Sequence, residues 1–350
     1  MDADIISTPS ADRTKTAGLS SDRIMQLGFG FRGAKVLLSA VELDLFSELA
    51  MAPLDGETLR QRLGLHPRGW RDFFDTLVAL GMIERQDDVY RNTPETDFYL
   101  DRSKPSYVGG LLQLANTLVY PVWASLTEAL RTGEPHGKIR DGEDLFDFVY
   151  SDAQSLARFA QGMTGSSIPV AAALAARFPW ADYRTFADIG AAEGAASVEI
   201  AGAHPHLSGI GFDLPRLRPL FEAYVERRGC RGRLHFHAGD FLEDALPAAD
   251  VLVMGQILHD WNLDVKRCLL AKAFAALPKG GALIVYDQVI DDERRENVAG
   301  LLMSLSMLVG TRGGFDYTGP DCIDWMREVG FSGIRREHLI GSYSMIAGIK

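Results

Sequence analysis

The apolar runs TFADIG, LSGIGFD, LHFHAGD, ADVLVMGQ and GALIVYDQ limit what this chain can fold into more than any other feature. They begin after Trp180, and the segments AAEGAASVEIAGAHP, RPLFEAYVERRG and DVKRCLLAKAFAALP between them have helical length and period. A run that is short and nearly continuously apolar must be buried on both faces. Such strands alternating with helices predict an α/β unit whose parallel sheet is covered on both sides. Near the end, IRREHLIG and YSMIAGIK flank a tight GSY turn and predict a hairpin that brings an antiparallel strand into that sheet.

The front of the chain reads differently. From Asp22 the segment DRIMQLGFGFRGAKVLLSAVELDLFSELA predicts helix, with Ile24, Leu27, Val36, Leu37, Ala40, Leu43 and Leu45 on an apolar face. A short helix, a turn at 65–67, a second helix and a hairpin around IERQDDVYRNT then follow in the order of a winged helix-turn-helix. A reader of duplex DNA should project cations from the second helix. That helix, PRGWRDFFDTLVALG, mixes two Arg with two Asp on a mostly apolar segment, and the whole chain carries a formal charge of -11 with a pI near 5.2. Packing or self-association is the expected use, and nucleic acid is not an expected partner. Further helices are predicted in SYVGGLLQLANTLVYPVWASLTEALRTGEP and EDLFDFVYSDAQSLARFAQGMTGSSIPVAAALAARFP, either as core or as a surface for a partner subunit. With 350 residues, more than one compact core is expected. The boundaries follow the changes of period: a polar, disordered tail over 1–21, a winged-helix unit over 22–105, a helical linker and substrate-pocket region over 106–180, and the sheet unit over 181–350.

Cys230, Cys268 and Cys322 are too few and too scattered to form a disulfide framework or a metal set, so a reducing, cytoplasmic setting is expected. The N-terminal segment has no apolar core of signal-peptide length, and no window reaches the length of a membrane span, so no membrane association is expected. The pairs His204/His206 and His235/His237 have the look of ligands, but the first lies in a loop and the second alternates along a strand. No metal is expected.

The strand ends carry the chemistry. FADIGAAEGAAS closes a strand and opens a helix near Gly194, which puts Gly190 and Gly194 where a ligand would meet bare backbone; a tight turn needing glycine for itself is the competing explanation. The dinucleotide pattern G-x-G-x-x-G is missing, and Asp188 would repel a pyrophosphate but tolerate a cationic or zwitterionic ligand. Asp213 ends the next strand where a carboxylate can grip ribose hydroxyls. Asp240 ends the third and can accept from an adenine amine, with Phe241 offering an apolar contact. Together these acids favour a nucleoside without phosphate, of which S-adenosylmethionine is the common one. The stretch LVMGQILHDWN then sets His259 on the same edge, facing whatever is bound there.

DIGAAEG, GFD, GDF and LHDWN, followed by GALIVYD and GGFDYTGPDCIDWMREVGF, resemble the S-adenosylmethionine-dependent small-molecule O-methyltransferases of the caffeate, acetylserotonin and bacterial polyketide type. The resemblance runs from about Asp22 to the C-terminus. It implies a Rossmann-like methyltransferase sheet with an antiparallel C-terminal strand, preceded by a mostly helical winged-helix dimerisation domain, hence a homodimer. It also implies cofactor contacts at Asp188, Gly190, Gly194, Asp213, Asp240 and Phe241, together with Phe159, Met163 and Ser167 in the helix before the sheet. His259 matches the catalytic base, Asp287 and Asp316 match the two carboxylates that flank it, and Met303 and Met307 fall where the acceptor ring is gripped. The sequence departs from the pattern at Ala191 and Ala192, which replace glycines, at Gly255 in place of a cofactor-facing Lys, at Ser304 in place of an Asp, and at Asp287 and Asp316 in place of the usual Glu.

A base is needed because a phenol of pKa near 10 is only about a thousandth ionised at neutral pH, a deficit of roughly 4 kcal/mol. Asp287 or Asp316 would orient the imidazole and stabilise its charged form. Asp260 reads as a helix cap and Trp261 as packing. Met303, Met307, Phe315, Trp123 and Tyr120 could line an apolar pocket for a small aromatic hydroxyl-bearing or polyketide-like acceptor. Alternatives are carbon or nitrogen methylation, a homologue that keeps the cofactor without transferring its methyl, a winged-helix regulator that senses a metabolite, and a dinucleotide oxidoreductase.

Overall fold

A computed structural model describes residues 19–104, 106–136, 149 and 152–350. The tail expected over 1–21 lies, up to residue 18, outside the described residues, as does the start of the helical segment expected from EDLFDFVYSD, up to residue 151 and apart from Val149. The apolar stripe from Asp22 is not one helix. It breaks into α1 (Asp22–Gly28), α2 (Phe31–Glu42) and α3 (Leu45–Met51). Asp44 takes a left-handed φ of 57° at the second break, a conformation that Asp tolerates better than most residues. None of the residues of α1 is buried, so Ile24 and Leu27 face solvent in the single chain instead of joining a core.

The winged helix is present as α4 (Gly56–Arg62), capped by Asp55 accepting from the Thr58 N–H, then α5 (Trp70–Ala79) and the hairpin β2 (Ile83–Gln86) with β3 (Val89–Asn92). A short β1 (Leu54–Asp55), not legible in the sequence, pairs with β3 and completes a small sheet. Phe74, Leu77 and Tyr90 fill the core beneath it. The chain continues through α6 (Pro94–Leu100), α7 (Gly109–Leu114), a π-helical turn over Ala115–Val119, α8 (Tyr120–Trp123), α9 (Leu126–Thr132) and the long α10 (Ala153–Arg177).

The alternating part forms the expected sheet. Strands β4 (Thr185–Ile189), β5 (Ser208–Asp213), β6 (Leu234–Ala238), β7 (Val251–Gly255) and β8 (Ala282–Asp287) are parallel, and the hairpin of β9 (Ser332–Ile340) and β10 (Tyr343–Ile349) adds β10 antiparallel to β8. The order is β6-β5-β4-β7-β8-β10-β9. Period-two alternation splits the strands between two cores. Phe186, Val251, Val253, Ile284 and Tyr286 face α10, α11 (Ala195–Ala203) and α12 (Arg218–Arg227). Ala187, Ile189, Leu252, Met254, Leu283 and Val285 face α13 (Leu263–Ala276) and α15 (Gly319–Val329), which pack on each other, while α14 (Val298–Gly310) packs against α8 and α9. By the same alternation Asp188 falls on the α11 side and Asp287 on the α13 side.

Gly194 shows how tightly the first strand-to-helix turn is built. It holds φ 89°, and a Cβ there would lie 2.6 Å from the Phe221 ring. Gly194→Ala is expected to cost roughly 2–5 kcal/mol, from left-handed strain plus overpacking. Urea unfolding with an unchanged midpoint would contradict this account of the turn.

Candidate active site

One cavity of about 420 Å³ opens along the carboxyl edge of the sheet. Phe159, Met163 and Ser167, spaced four apart on α10, line it together with Asp188, Gly190, Asp213, Asp240, Phe241, His259, Met303 and Met307. Three of the sequence-selected residues stand outside its wall. Gly194 is behind the turn against Phe221, and Asp287 and Asp316 are behind His259.

Each acid of the edge is tied to backbone. Asp213 accepts the Ala192 N–H at 2.8 Å on Oδ2 and the Leu214 N–H at 2.7 Å on Oδ1. Burial raises its pKa to about 6 against the pull of those hydrogen bonds. Asp188 accepts the Ser197 N–H at 3.1 Å and the Ser197 hydroxyl at 2.7 Å, so it anchors the start of α11, and burial lifts it to about 6 as well. Ala192 sits at φ 49°, the left-handed region that suits the glycine found there in the resembling family. Its N–H is held by Asp213, so the loop keeps its shape despite the methyl group. A Cβ on Gly190 would meet Ile257 Cδ1 at 2.3 Å.

The donor set fits an adenosyl group bearing positive charge. Each Asp213 oxygen retains a lone pair beyond its N–H contact, and Asp240, whose Oδ1 accepts from the Leu242 N–H at 2.8 Å, retains acceptor capacity too. Among the described residues the wall carries no Lys or Arg that would meet a phosphate. Where the resembling family can carry Lys, Gly255 leaves room for the Tyr286 ring, which a Cβ would touch at 1.9 Å.

His259 lies in a short 3₁₀ turn, Leu258–Asp260, after β7, and is 6% exposed. Its Nδ1 is 3.3 Å from Asp316 Oδ1 and 4.0 Å from Asp287 Oδ1, so both shorter side chains reach it. The approach of Asp316 is a charge contact, because the ring N–H does not line up as a hydrogen bond. On the cavity side Nε2 is 3.5 Å from Asp260 Oδ1. The reading of Asp260 as a helix cap is therefore wrong: Asn262 caps α13, accepting the Val265 N–H at 3.0 Å, while Asp260 turns back toward the imidazole. The Tyr317 hydroxyl donates to Asp287. Burial alone would lower the His259 pKa, but Asp260, Asp287 and Asp316 override it and raise it to about 10. Asp287 is lifted by burial to about 7, with His259 pulling the other way, so the two titrate as a pair.

Most of the remaining wall is apolar, formed by Leu111, Leu114, Leu118 and Val122 around the π-turn and by Met303 and Met307 of α14. Trp123 joins it, its Nε1–H donating to Ser306 at 3.2 Å. Two expected lining residues are elsewhere: Phe315 packs edge-on against Trp325, and Tyr120 lines a separate hollow beside α2 and α5. A polar strip on the wall was not legible in the sequence. The Gln288 amide donates to the Tyr343 hydroxyl, which donates to Gln256 Oε1, and the Gln256 amide donates to Ser167, each at 3.1 Å. Gln256 holds φ 55°, a strained backbone of the kind that gathers at functional sites. His204 and His206 each bond a backbone carbonyl, of Ala175 and Trp180, and His237 packs edge-on against Phe212. The described residues contain no group of three or more His, Cys, Asp or Glu arranged to hold a metal.

Because the His259 pKa is raised on folding, its stabilisation is fully present below pH 6.5 and is lost as pH rises through about 10. The destabilisation by His259→Gln should be largest at and below about pH 6.5, roughly 2–4 kcal/mol at most, and shrink toward alkaline pH. A variant whose deficit in denaturant unfolding is the same at pH 6 and pH 10 would show that the imidazole is not charge-paired.

The O-methyltransferase domain family matches residues 123–332, and the O-methyltransferase dimerisation domain family matches 25–102. The chain is 43% identical to the tetracenomycin polyketide synthesis 8-O-methyl transferase TcmO of Streptomyces glaucescens, over 93% of this chain and 96% of that one. It is 42% identical to the N,N-dimethyltransferase OxyT of Streptomyces rimosus, over 77% of this chain and 78% of that one. It is 34% identical to a 3-hydroxy-5-methyl-1-naphthoate 3-O-methyltransferase of Streptomyces sahachiroi, over 93% and 94%. Among solved structures, PigF with SAH superposes with a TM-score of 0.87 at 26% identity, covering 95% of this chain and all of that one. Human N-acetylserotonin methyltransferase in complex with SAM gives 0.86 at 25%, covering 98% and 99%.

Proposed function

The chain belongs to the S-adenosylmethionine-dependent O-methyltransferase family, and on that premise we propose that it methylates a phenolic hydroxyl of a flat aromatic or polyketide-like molecule, with His259 as general base. The observation that carries this reading is a buried imidazole on the cavity wall, backed by Asp316 and Asp287, on the same sheet edge as Asp213 and Asp240. When bound, S-adenosylmethionine supplies an electrophilic methyl carbon on a sulfonium. Asp213, Asp240 and Phe241 would hold its nucleoside, and Gly190, Asp188, Phe159, Met163 and Ser167 would enclose the rest.

On the chain's side, Nδ1 faces the two carboxylates and Nε2 faces the cavity, so Nε2 is the atom that takes the acceptor's proton. The carboxylates raise the imidazole's pKa, which makes the free ring a stronger base than an isolated histidine, and the imidazolium formed on proton transfer is stabilised by Asp316. The cost is that the base must first be free of its proton, so turnover rises with pH through and above the neutral range. Met303 and Met307 are placed to grip the ring across from the apolar wall. The names of TcmO and the naphthoate enzyme support an aromatic acceptor. We read residues 22–105 as the dimerisation unit, 106–180 as the linker and substrate-pocket region and 181–350 as the cofactor unit. A second copy covering α1 accounts for its exposed apolar residues.

His259→Ala should lose about 10²- to 10⁴-fold in kcat on a hydroxylated naphthoate or anthraquinone while cofactor Kd stays within about threefold. Asp213→Ala should weaken cofactor binding first, as read by calorimetry. Full turnover by the His259 variant would remove the general-base role. The similarity to an N,N-dimethyltransferase supports a second reading, favoured if an amine analogue of the same ring is methylated faster than the phenol.

A further inference from the structure

Lys266, on α13, is a fully buried lysine next to the His259 cluster and outside the cavity wall. Its ammonium donates to the Trp261 carbonyl, directly after the His259–Asp260 turn. The same nitrogen lies 3.6 Å from the centroid of the Phe315 ring and 5.8 Å from that of Tyr317. Those rings flank Asp316, and Tyr317 donates to Asp287. One cation thus touches the segment that carries the base and the segment that carries its partners.

Burying an ammonium costs several kcal/mol unless the charge is used, and a methionine would fill the same space at less cost. The use is visible in the charges that surround the imidazole. Asp260 faces it from its own turn, Asp287 from the end of β8 and Asp316 from the loop before α15; Tyr317 and Cys322 complete the buried set. Burial lowers the Lys266 pKa to about 8, with Asp287, Asp316 and Asp260 pulling it back up, so the ammonium is the cation set against three carboxylates at neutral pH and loses its proton as pH rises through about 8. Without it, the acids would grip the imidazole's proton harder.

We propose that Lys266 is a positioning residue for methyl transfer: its buried ammonium pins the His259 turn to the 315–317 segment and offsets the surrounding carboxylates, so that His259 can give up its proton and act as a base. The inference rests on the general-base reading of His259. It separates two functions that the carboxylates alone would set in conflict, since the acids that orient the imidazole also keep it protonated.

The experiment is the pH dependence of kcat for wild type, Lys266→Met, Lys266→Arg and His259→Ala, with cofactor Kd measured alongside. Lys266→Met should move the acid limb upward by about one unit, so that turnover at neutral pH falls about tenfold and recovers at alkaline pH, with cofactor Kd unchanged. Lys266→Arg, which keeps the cation, should retain wild-type turnover at neutral pH; it also serves as the test should the Met variant fail to fold, since a tenfold loss at neutral pH in the Arg variant overturns the charge role. A loss of the same factor at every pH, or no change at all, overturns the proposal. His259→Ala reports on the premise separately: if it keeps full turnover, the base reading fails whatever Lys266 does.

Discussion

A parallel sheet covered on both faces leaves a ligand only its strand ends, and that constraint organises this molecule. The helices on one side bury Phe186, Val253 and Ile284, and those on the other bury Ile189, Met254 and Val285. Within the sheet, polar side chains gather where the strands stop. Asp188, Asp213, Asp240, His259 and Asp287 all stand at or just beyond such stops. Period-two alternation then decides which of them meet: Asp188 goes to the α11 face and becomes an anchor for that helix, while Asp287 goes to the α13 face and joins the imidazole.

Around His259 the structure sets orientation against proton affinity. Carboxylates close to Nδ1 hold the ring with Nε2 toward the cavity, but they also favour the imidazolium. On the proposed general-base reading, an acceptor of high pKa such as a phenol suits that setting, because a weaker base would face an uphill transfer. The low-dielectric surroundings make each charge in the cluster count for more than it would at a surface, which is why a single buried lysine can alter the balance.

Much of this was legible from residues alone. The strand runs, their order, the hairpin at the end and the acids at three strand ends follow from local apolar period and from where it stops. His259 was legible because it sits at such a stop, and its partners through the resemblance of GALIVYD and GGFDYT to a family pattern. The errors have a common cause. The stripe from Asp22 has helical period throughout, yet a left-handed Asp44 turns the chain within it. Asp260 has the composition of a cap, but Asn262 two residues later has the geometry. Phe315 and Tyr120 are apolar enough for a pocket, and which apolar group faces a cavity is not written in local period.

The sequence by itself determined the parallel sheet, the ligand edge and the class of ligand that fits it, because burial on both faces and the sign of charge at strand ends are local properties of each run. Only the tertiary structure decided that Asp260 and Lys266 join the cluster around His259 and that Gln256, Tyr343 and Gln288 form a strip, because those contacts depend on how separate segments pack. Lys266 is the clearest case. In the sequence it is an ordinary lysine in an amphipathic helix, and its meaning appears only when packing removes it from water and sets it between the turn that holds His259 and the loop that holds Asp316.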